Sequence, residues 1–415
     1  MRQGDTTVRR RKVFYIPGYD PFPARRYREL YRRESAVQAE ISGYALAMKG
    51  PLGGEGFGWQ VETVTDGQTT LTDYEVLTWS DIVRDSQSRS VGAVYLALVQ
   101  TIWTYLSTGA LFRIMRLRKG PVIAALYPVG MLTLQALLAL LLAVCVLSSA
   151  LHVLDTVAGP SGSPVWAYAV AGAPAAYAFM WLLRYFRNQD GRLYVYYLMQ
   201  DFAYSASAGG AWPDALAKRM TAFEHQLRRA LADDLDEVLI VGHSSGAHIA
   251  VSVLASVLRK HTERSDGPTI SLLTLGHVIP MVSFLPGAER LRADLKQLSR
   301  SADVTWVDVT APGDGCCFAL CDPVAVSGQG GANARGPLVF SAAFSQSLSP
   351  ERWRALRWRF FRLHFQYLCA FDRPRDYDYF QITAGPQTLH MRYRDRPASR
   401  SRIVHSVSGY TSVTP

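Results

Sequence analysis

Three stretches of this chain contain no Asp, Glu, Lys or Arg: residues 91–112, 120–151 and 156–183. They constrain the fold more than any other feature, because about 20 mostly apolar residues suffice to carry a helix across a bilayer. The middle stretch is dense in leucine (Leu137, Leu138, Leu140, Leu141, Leu142) and reads as a spanning helix over about 122–150. The third holds Trp166, Tyr168, Tyr177 and Trp181 near its ends, as interfacial aromatic belts do, and reads as a second span over about 165–184. The first is broken by Gln100, Thr101, Thr104, Ser107 and Thr108 and is weaker. Two helices buried in a soluble core are the competing reading, but uncharged runs this long are uncommon there.

Charge sets an orientation. Arg113, Arg116, Arg118 and Lys119 precede the middle run, and Arg184, Arg187 and Arg192 follow the third. The linker around Asp155–Pro164 has no Lys or Arg. The positive-inside rule then puts both flanks in the cytoplasm and makes the pair a hairpin in the inner membrane. Met1–Lys12 is polar and basic, and Val13–Ile16 is too short for the apolar core of a signal peptide, so none is expected.

Outside the hairpin the chain alternates strands and helices, which implies a mostly parallel sheet flanked by helices. Short strands are expected at 13–16, 59–65, 74–79, 237–241, 270–275, 304–309 and 338–343. Helices are expected at 23–48, 193–204, 213–233, 247–260 and 288–299, with a Gly-rich turn over 50–58. The domain reading is an N-terminal part (1–90), a helical insertion with both spans (91–190), a C-terminal part (191–395) and a basic, flexible tail (396–415). Both parts belong to one sheet, so the number of spans between them must be even. That favours two spans and makes 91–112 a buried or interfacial helix.

The net charge of +10, with 19% charged and 49% hydrophobic residues, excludes a disordered chain. Juxtamembrane arginines attract anionic lipid headgroups. No nucleic-acid module accompanies the arginines, although Arg354, Trp358 and Phe361 interleave basic and aromatic character. The five cysteines fit reduced thiols. Cys316, Cys317 and Cys321 lack a matching second pair, so no metal and no organic cofactor is expected.

The sharpest motif is Gly242-His243-Ser244-Ser245-Gly246, placed between the apolar run Val238–Val241 and a helical pattern. A G-x-S-x-G pentapeptide in that context is a nucleophile elbow, whose glycines let a serine sit on a sharp strand-to-helix turn. Together with Tyr15-Ile16-Pro17-Gly18-Tyr19 near the start, and acid and His candidates after the elbow, the chain resembles the α/β-hydrolase fold family of serine lipases, esterases and thioesterases. The likeness covers about 12–80 and 190–395 and extends to membrane-anchored bacterial members. It implies Ser244 as nucleophile, followed in chain order by an acid and a His. Asp314, in the turn-rich loop Ala311–Gly315, is the expected acid, with Asp308 and Asp322 as alternatives. His364 is the expected base, with His390 as alternative and His405 the least suited; His243 and His248 are read as packing or pocket residues. The resemblance also implies an oxyanion hole from backbone N–H groups of Ser245 and of Gly18 or Tyr19, although the loop has Pro17-Gly18 where the family has His-Gly. The implied activity is cleavage of ester or thioester bonds, lipid or acyl substrates among them, by a Ser-His-Asp acyl-enzyme route. The alternative is a catalytically silent scaffold of the same fold that binds a partner at the membrane.

Overall fold

The computed structural model of the chain describes residues 7–53, 56–87, 90–158, 164–260 and 267–414. The eight strands are β1 (Arg10–Ile16), β2 (Ala45–Pro51), β3 (Phe57–Thr65), β4 (Gln68–Val76), β5 (Glu237–His243), β6 (Thr269–Leu275), β7 (Val304–Thr310) and β8 (Leu338–Ser341). They form one sheet in the order β2-β3-β4-β1-β5-β6-β7-β8. Its five ladders from β4 through β1 to β8 are parallel, and the two joining β2, β3 and β4 are antiparallel. The sheet is therefore mixed, parallel except at one edge.

Hydrophobicity explains the difference between the two halves. β5 is buried at every position, as a strand covered by helices on both faces must be. β2 is mostly exposed and lies at the edge. The expected helix over 23–48 is shorter, Arg25–Ser42 (α1), and it stops at Gly43, which adopts φ +74° as a left-handed cap. The following Ala45–Pro51 has no helical alternative once that cap turns the chain, and it pairs with β3. The 50–58 segment was expected as a turn; its ends are strand, and residues 54–55 lie outside the described residues.

One buried ion pair sets the register of the central strands. Arg11 on β1 donates Nε–H to Glu237 on β5 at 2.6 Å, and both side chains are fully buried. Each other nitrogen and oxygen of the pair has a partner too: Arg11 also donates to the Gly385 and Gln387 carbonyls, and Glu237 Oε1 accepts from Ser271 and from the Leu389 N–H. A one-residue slip would strand both charges in the core.

The helices used below are α2 (Val91–Ser107), α3 (Lys119–Ala158), α4 (Val165–Asn188), α5 (Val195–Ala206), α6 (Asp214–Ala230), α7 (Gly246–Arg259) and α8 (Glu289–Arg300). The chain divides into two compact units. The first comprises residues 1–85, 104–122 and 205–415 and holds the sheet with α1, α6, α7 and α8. In the second, residues 86–103 and 123–204, Val94 and Leu98 of α2 cluster with Leu132 of α3 and Val195, Tyr196 and Met199 of α5. The division differs from the expected insertion at 91–190, since 104–122 belongs with the sheet.

Two helices are long and apolar enough to cross a membrane, α3 and α4. α3 runs 40 residues, about 60 Å at 1.5 Å per residue, twice a ~30 Å hydrocarbon core. It starts earlier than expected and continues through Pro128. Leu137, Leu141 and Val144 are exposed on it. α2 has 17 residues, short of a span on its own. Part of the expected hairpin linker, 159–163, lies outside the described residues. The 396–414 segment, expected to be flexible, is laid along the first unit: Ser399 N–H donates to Val339, Ile403 N–H to Leu320, and Val407 N–H to Val326, and Val407 is buried.

Candidate active site

The sequence Gly242–Gly246 folds as the end of β5, one tight turn and the start of α7. Ser244 sits at the turn with φ +57°, a left-handed conformation that costs a residue with a Cβ about 1–2 kcal/mol. Its N–H donates to the Leu275 carbonyl at the end of β6. The elbow glycines are required by close approach. A Cβ on Gly242 would lie 2.7 Å from Ala247 Cα, and one on Gly246 would collide with the Ile16 carbonyl. The Ser244 side chain is half-buried while its neighbours are buried.

The loop after β1 presses on the same serine. A Cβ at Gly18 would lie 2.9 Å from Ser244 Cβ and 3.3 Å from its Oγ. Trp79 Nε1–H donates to the Pro17 carbonyl and fixes this loop. The Tyr19 N–H donates to Ser245 Oγ at 2.8 Å. That bond occupies the Tyr19 N–H, so of the two expected loop donors Gly18 is the one left for a substrate oxygen. Ser245 stands at the N-cap of α7, where first-turn N–H groups have no intrahelical acceptor.

Asp314 follows β7, in the loop expected from its turn residues. Asp314 Oδ2 and His364 Nδ1 lie 2.7 Å apart, and both residues are buried. Oδ2 also accepts from Tyr367 Oη at 3.1 Å, and Oδ1 accepts from the Cys316 N–H at 2.9 Å. Burial alone would raise the Asp314 pKa, but the imidazole of His364 and the hydrogen bonds from His364 and the Cys316 N–H outweigh it and hold the carboxyl below its usual value.

His364 ends the short helix Phe360–His364. Its Nε2 is buried and has no hydrogen-bond partner among the described residues. No hydrogen bond joins it to Ser244 in this structure. The two residues nevertheless border the same backbone: Ser244 bonds to Leu275, and His364 Cε1 lies 3.0 Å from where a Cβ on the next residue, Gly276, would stand. The His243 ring stacks on the His364 ring with centroids 4.8 Å apart, and His243 Nε2 lies 3.0 Å from the His364 carbonyl oxygen. Burial pulls the His243 pKa down to about 3, so this neighbour stays neutral and does not oppose a charge on His364.

The alternatives have other work. Asp322 caps the helix Pro323–Val326, accepting from the N–H groups of Val324 and Ala325. Asp308 is fully buried and accepts from Thr274 Oγ1 at 2.6 Å, and burial pushes its pKa well up, towards the neutral acid. His390, expected on a strand-like run, lies on the short helix Leu389–Tyr393. His405 is exposed. His248, one turn along α7, packs 5.3 Å from the Trp212 ring.

Two contributors were not legible in advance. Tyr367 lies three residues beyond His364, and that spacing on a helical turn was the available signal. Gly276 gives no such signal: it takes a left-handed φ of +52° and leaves room for Tyr367 and His364 to approach, and both needs appear only in the fold. Among the described residues, Asp314, Cys316 and His364 form one group whose ligand atoms all lie within 4.8 Å of one another, so they are the residues that could hold a metal ion. Asp314 and His364 already bond each other, and a metal there would have to displace the shared proton. No protein-family model, curated protein or solved structure matches the chain.

Proposed function

We propose that the protein is a membrane-anchored serine hydrolase of the α/β-hydrolase type, cleaving carboxylic esters or thioesters. The observation that carries the reading is the Asp314–His364 pair with its outer nitrogen, Nε2, buried and unpartnered, on a site bordered by a strained serine. A buried nitrogen without a partner is costly unless a ligand or a reacting hydroxyl meets it. Catalytic hydrogen bonds are often long or unformed before substrate arrives.

In this mechanism Ser244 Oγ attacks the acyl carbonyl as His364 Nε2 takes its proton. Asp314 holds Nδ1–H and stabilises the imidazolium. Negative charge develops on the carbonyl oxygen, where the Gly18 and Ser245 N–H groups donate. His364 returns the proton to the departing alcohol or thiol, leaving an ester on Ser244. Water, deprotonated by His364, cleaves that ester, and the serine recovers its proton. The reading puts the sheet-bearing part on the cytoplasmic side of an inner membrane; the basic residues flanking α3 and α4 support it.

The test is turnover of short-chain 4-nitrophenyl esters by purified full-length protein and by Ser244→Ala. Activity lost in the variant, with its fold intact by circular dichroism, supports the reading. Equal activity in both removes it. An inert, well-folded wild type would favour the silent scaffold.

A further inference from the structure

The loop that carries Asp314 is pressed between two other segments. On one side lies the first turn of α3: a Cβ on Gly120 would stand 3.1 Å from Gly315 Cα, and Arg118 donates to the Ala319 carbonyl at 2.7 Å and to that of Ser401 at 3.2 Å. On the other lies the segment leading to His364: the Phe360 ring approaches to 3.4 Å from a Cβ placed on Gly315. Lys119 is the last charge before the uncharged run 120–151. Gly315, one residue from Asp314, therefore touches the chain where its most apolar helix begins.

Both flanking segments expose the same chemistry. Arg357, Trp358, Arg359, Phe360 and Arg362 are exposed, Trp358 at 72%. Just before α3, Phe112, Met115 and Arg116 are exposed as well, and so is Lys119, its first residue. Aromatic rings mixed with arginines suit the headgroup layer, where rings enter the acyl boundary and cations meet anionic lipid. No packing need accounts for Trp358, which is bare apart from Arg357, whose guanidinium lies 5.7 Å from its ring centroid.

We propose that the Arg357–Arg362 segment seats in the interface of an anionic bilayer at the foot of α3, which places the Asp314–His364 pair at the lipid surface. The contacts and exposures above carry the membrane seat by themselves. Given the hydrolase reading, on which this point rests, the substrate is an ester-linked amphiphile drawn from the bilayer rather than a solute.

Full-length protein in phosphatidylcholine vesicles with one fifth phosphatidylglycerol tests both halves. Trp358→benzoylphenylalanine, irradiated with an alkyne-tagged phospholipid present, should form a lipid adduct, and Val64→benzoylphenylalanine on β3 should not. No adduct at 358, or equal adducts at both positions, overturns the membrane seat. Trp358→Ser should lower hydrolysis of a fluorescent ester lipid in these vesicles at least tenfold while leaving 4-nitrophenyl acetate turnover within twofold. Equal losses, or no loss, overturn delivery from lipid. A lipid adduct at 358 with no hydrolysis of either ester by the native protein would overturn the substrate half and the hydrolase reading, and leave the seat standing.

Discussion

Ser244 holds a left-handed backbone that only its surroundings make tolerable: glycines at 242 and 246, the Gly18 backbone against its Cβ, and an anchoring bond to Leu275. Strain of this kind persists where the neighbouring structure over-determines it. Two predictions belong at this scale. Asp314→Asn removes the acceptor that fixes the His364 tautomer, so kcat on a 4-nitrophenyl ester should fall about 10⁴-fold with KM little changed. A fall of less than tenfold would show that Asp314 is not the partner of the base. Tyr367→Phe deletes one donor to a carboxylate and leaves the ring, so it should lower kcat by about tenfold to a hundredfold, in line with about 1.5–3 kcal/mol for a charged hydrogen bond. Unchanged steady-state kinetics would show that this bond does no catalytic work. The elbow and the acid loop were legible in the sequence because their residue types are dictated by local turns. His364 is preferred to His390 in the sequence only on where the resembled family places its base, because the contact that distinguishes them, His364 Nδ1 to Asp314 Oδ2, is made by tertiary packing that no local pattern reports.

At the scale of elements, the sheet is held by a charge pair as well as by apolar burial. Arg11→Met would leave Glu237 charged and fully buried, and breaking such a pair costs about 3–5 kcal/mol. Chemical denaturation should show that loss, and a variant as stable as the native protein would contradict the account. Acid should act on the same unit. Burial depresses the pKa of His243 and of His248 to about 3, and that of His277 to about 4. The unfolded chain therefore binds more protons than the folded one from about pH 6.5 down to those values. The contribution of these rings to stability must rise with pH through that window and be lost as pH falls, by up to about 1.4 kcal/mol per pH unit for each histidine. The lowered pKa of Asp314 acts in the same direction at lower pH, its contribution being lost as the carboxyl protonates. Buried carboxyls with raised pKa, Asp308 above all, act in the opposite sense over part of this range, so the histidine contribution is read as a difference: the gap in denaturation midpoint between the native protein and His277→Gln should change between pH 6.5 and 4.5, and a gap independent of pH would contradict the burial of this ring. Most strands were legible from β-rich runs ended by turn residues. β2 was not, because Ala45–Pro51 has weak strand propensity and owes its pairing to the cap at Gly43 and to the neighbouring β3.

At the scale of the whole molecule, α3 and α4 are long and apolar enough to cross a bilayer, and the sequence already showed it, because a soluble core rarely holds so long a run without charge. The foot of α3 was less legible, since its contact with Gly315 joins residues 195 positions apart and no periodicity reports it. The one metal-capable group among the described residues overlaps the proposed acid and base. Incubation with a chelator followed by desalting should leave ester turnover unchanged, and its loss with recovery on adding zinc would turn the site into a metal centre. The central claim is an activated serine, and labelling by a fluorophosphonate probe tests it most directly, on full-length native protein and on Ser244→Ala in detergent. The account predicts one covalent label on the native chain, located at Ser244, and none on the variant. Equal labelling of both, or a folded native protein that takes no label, would contradict it.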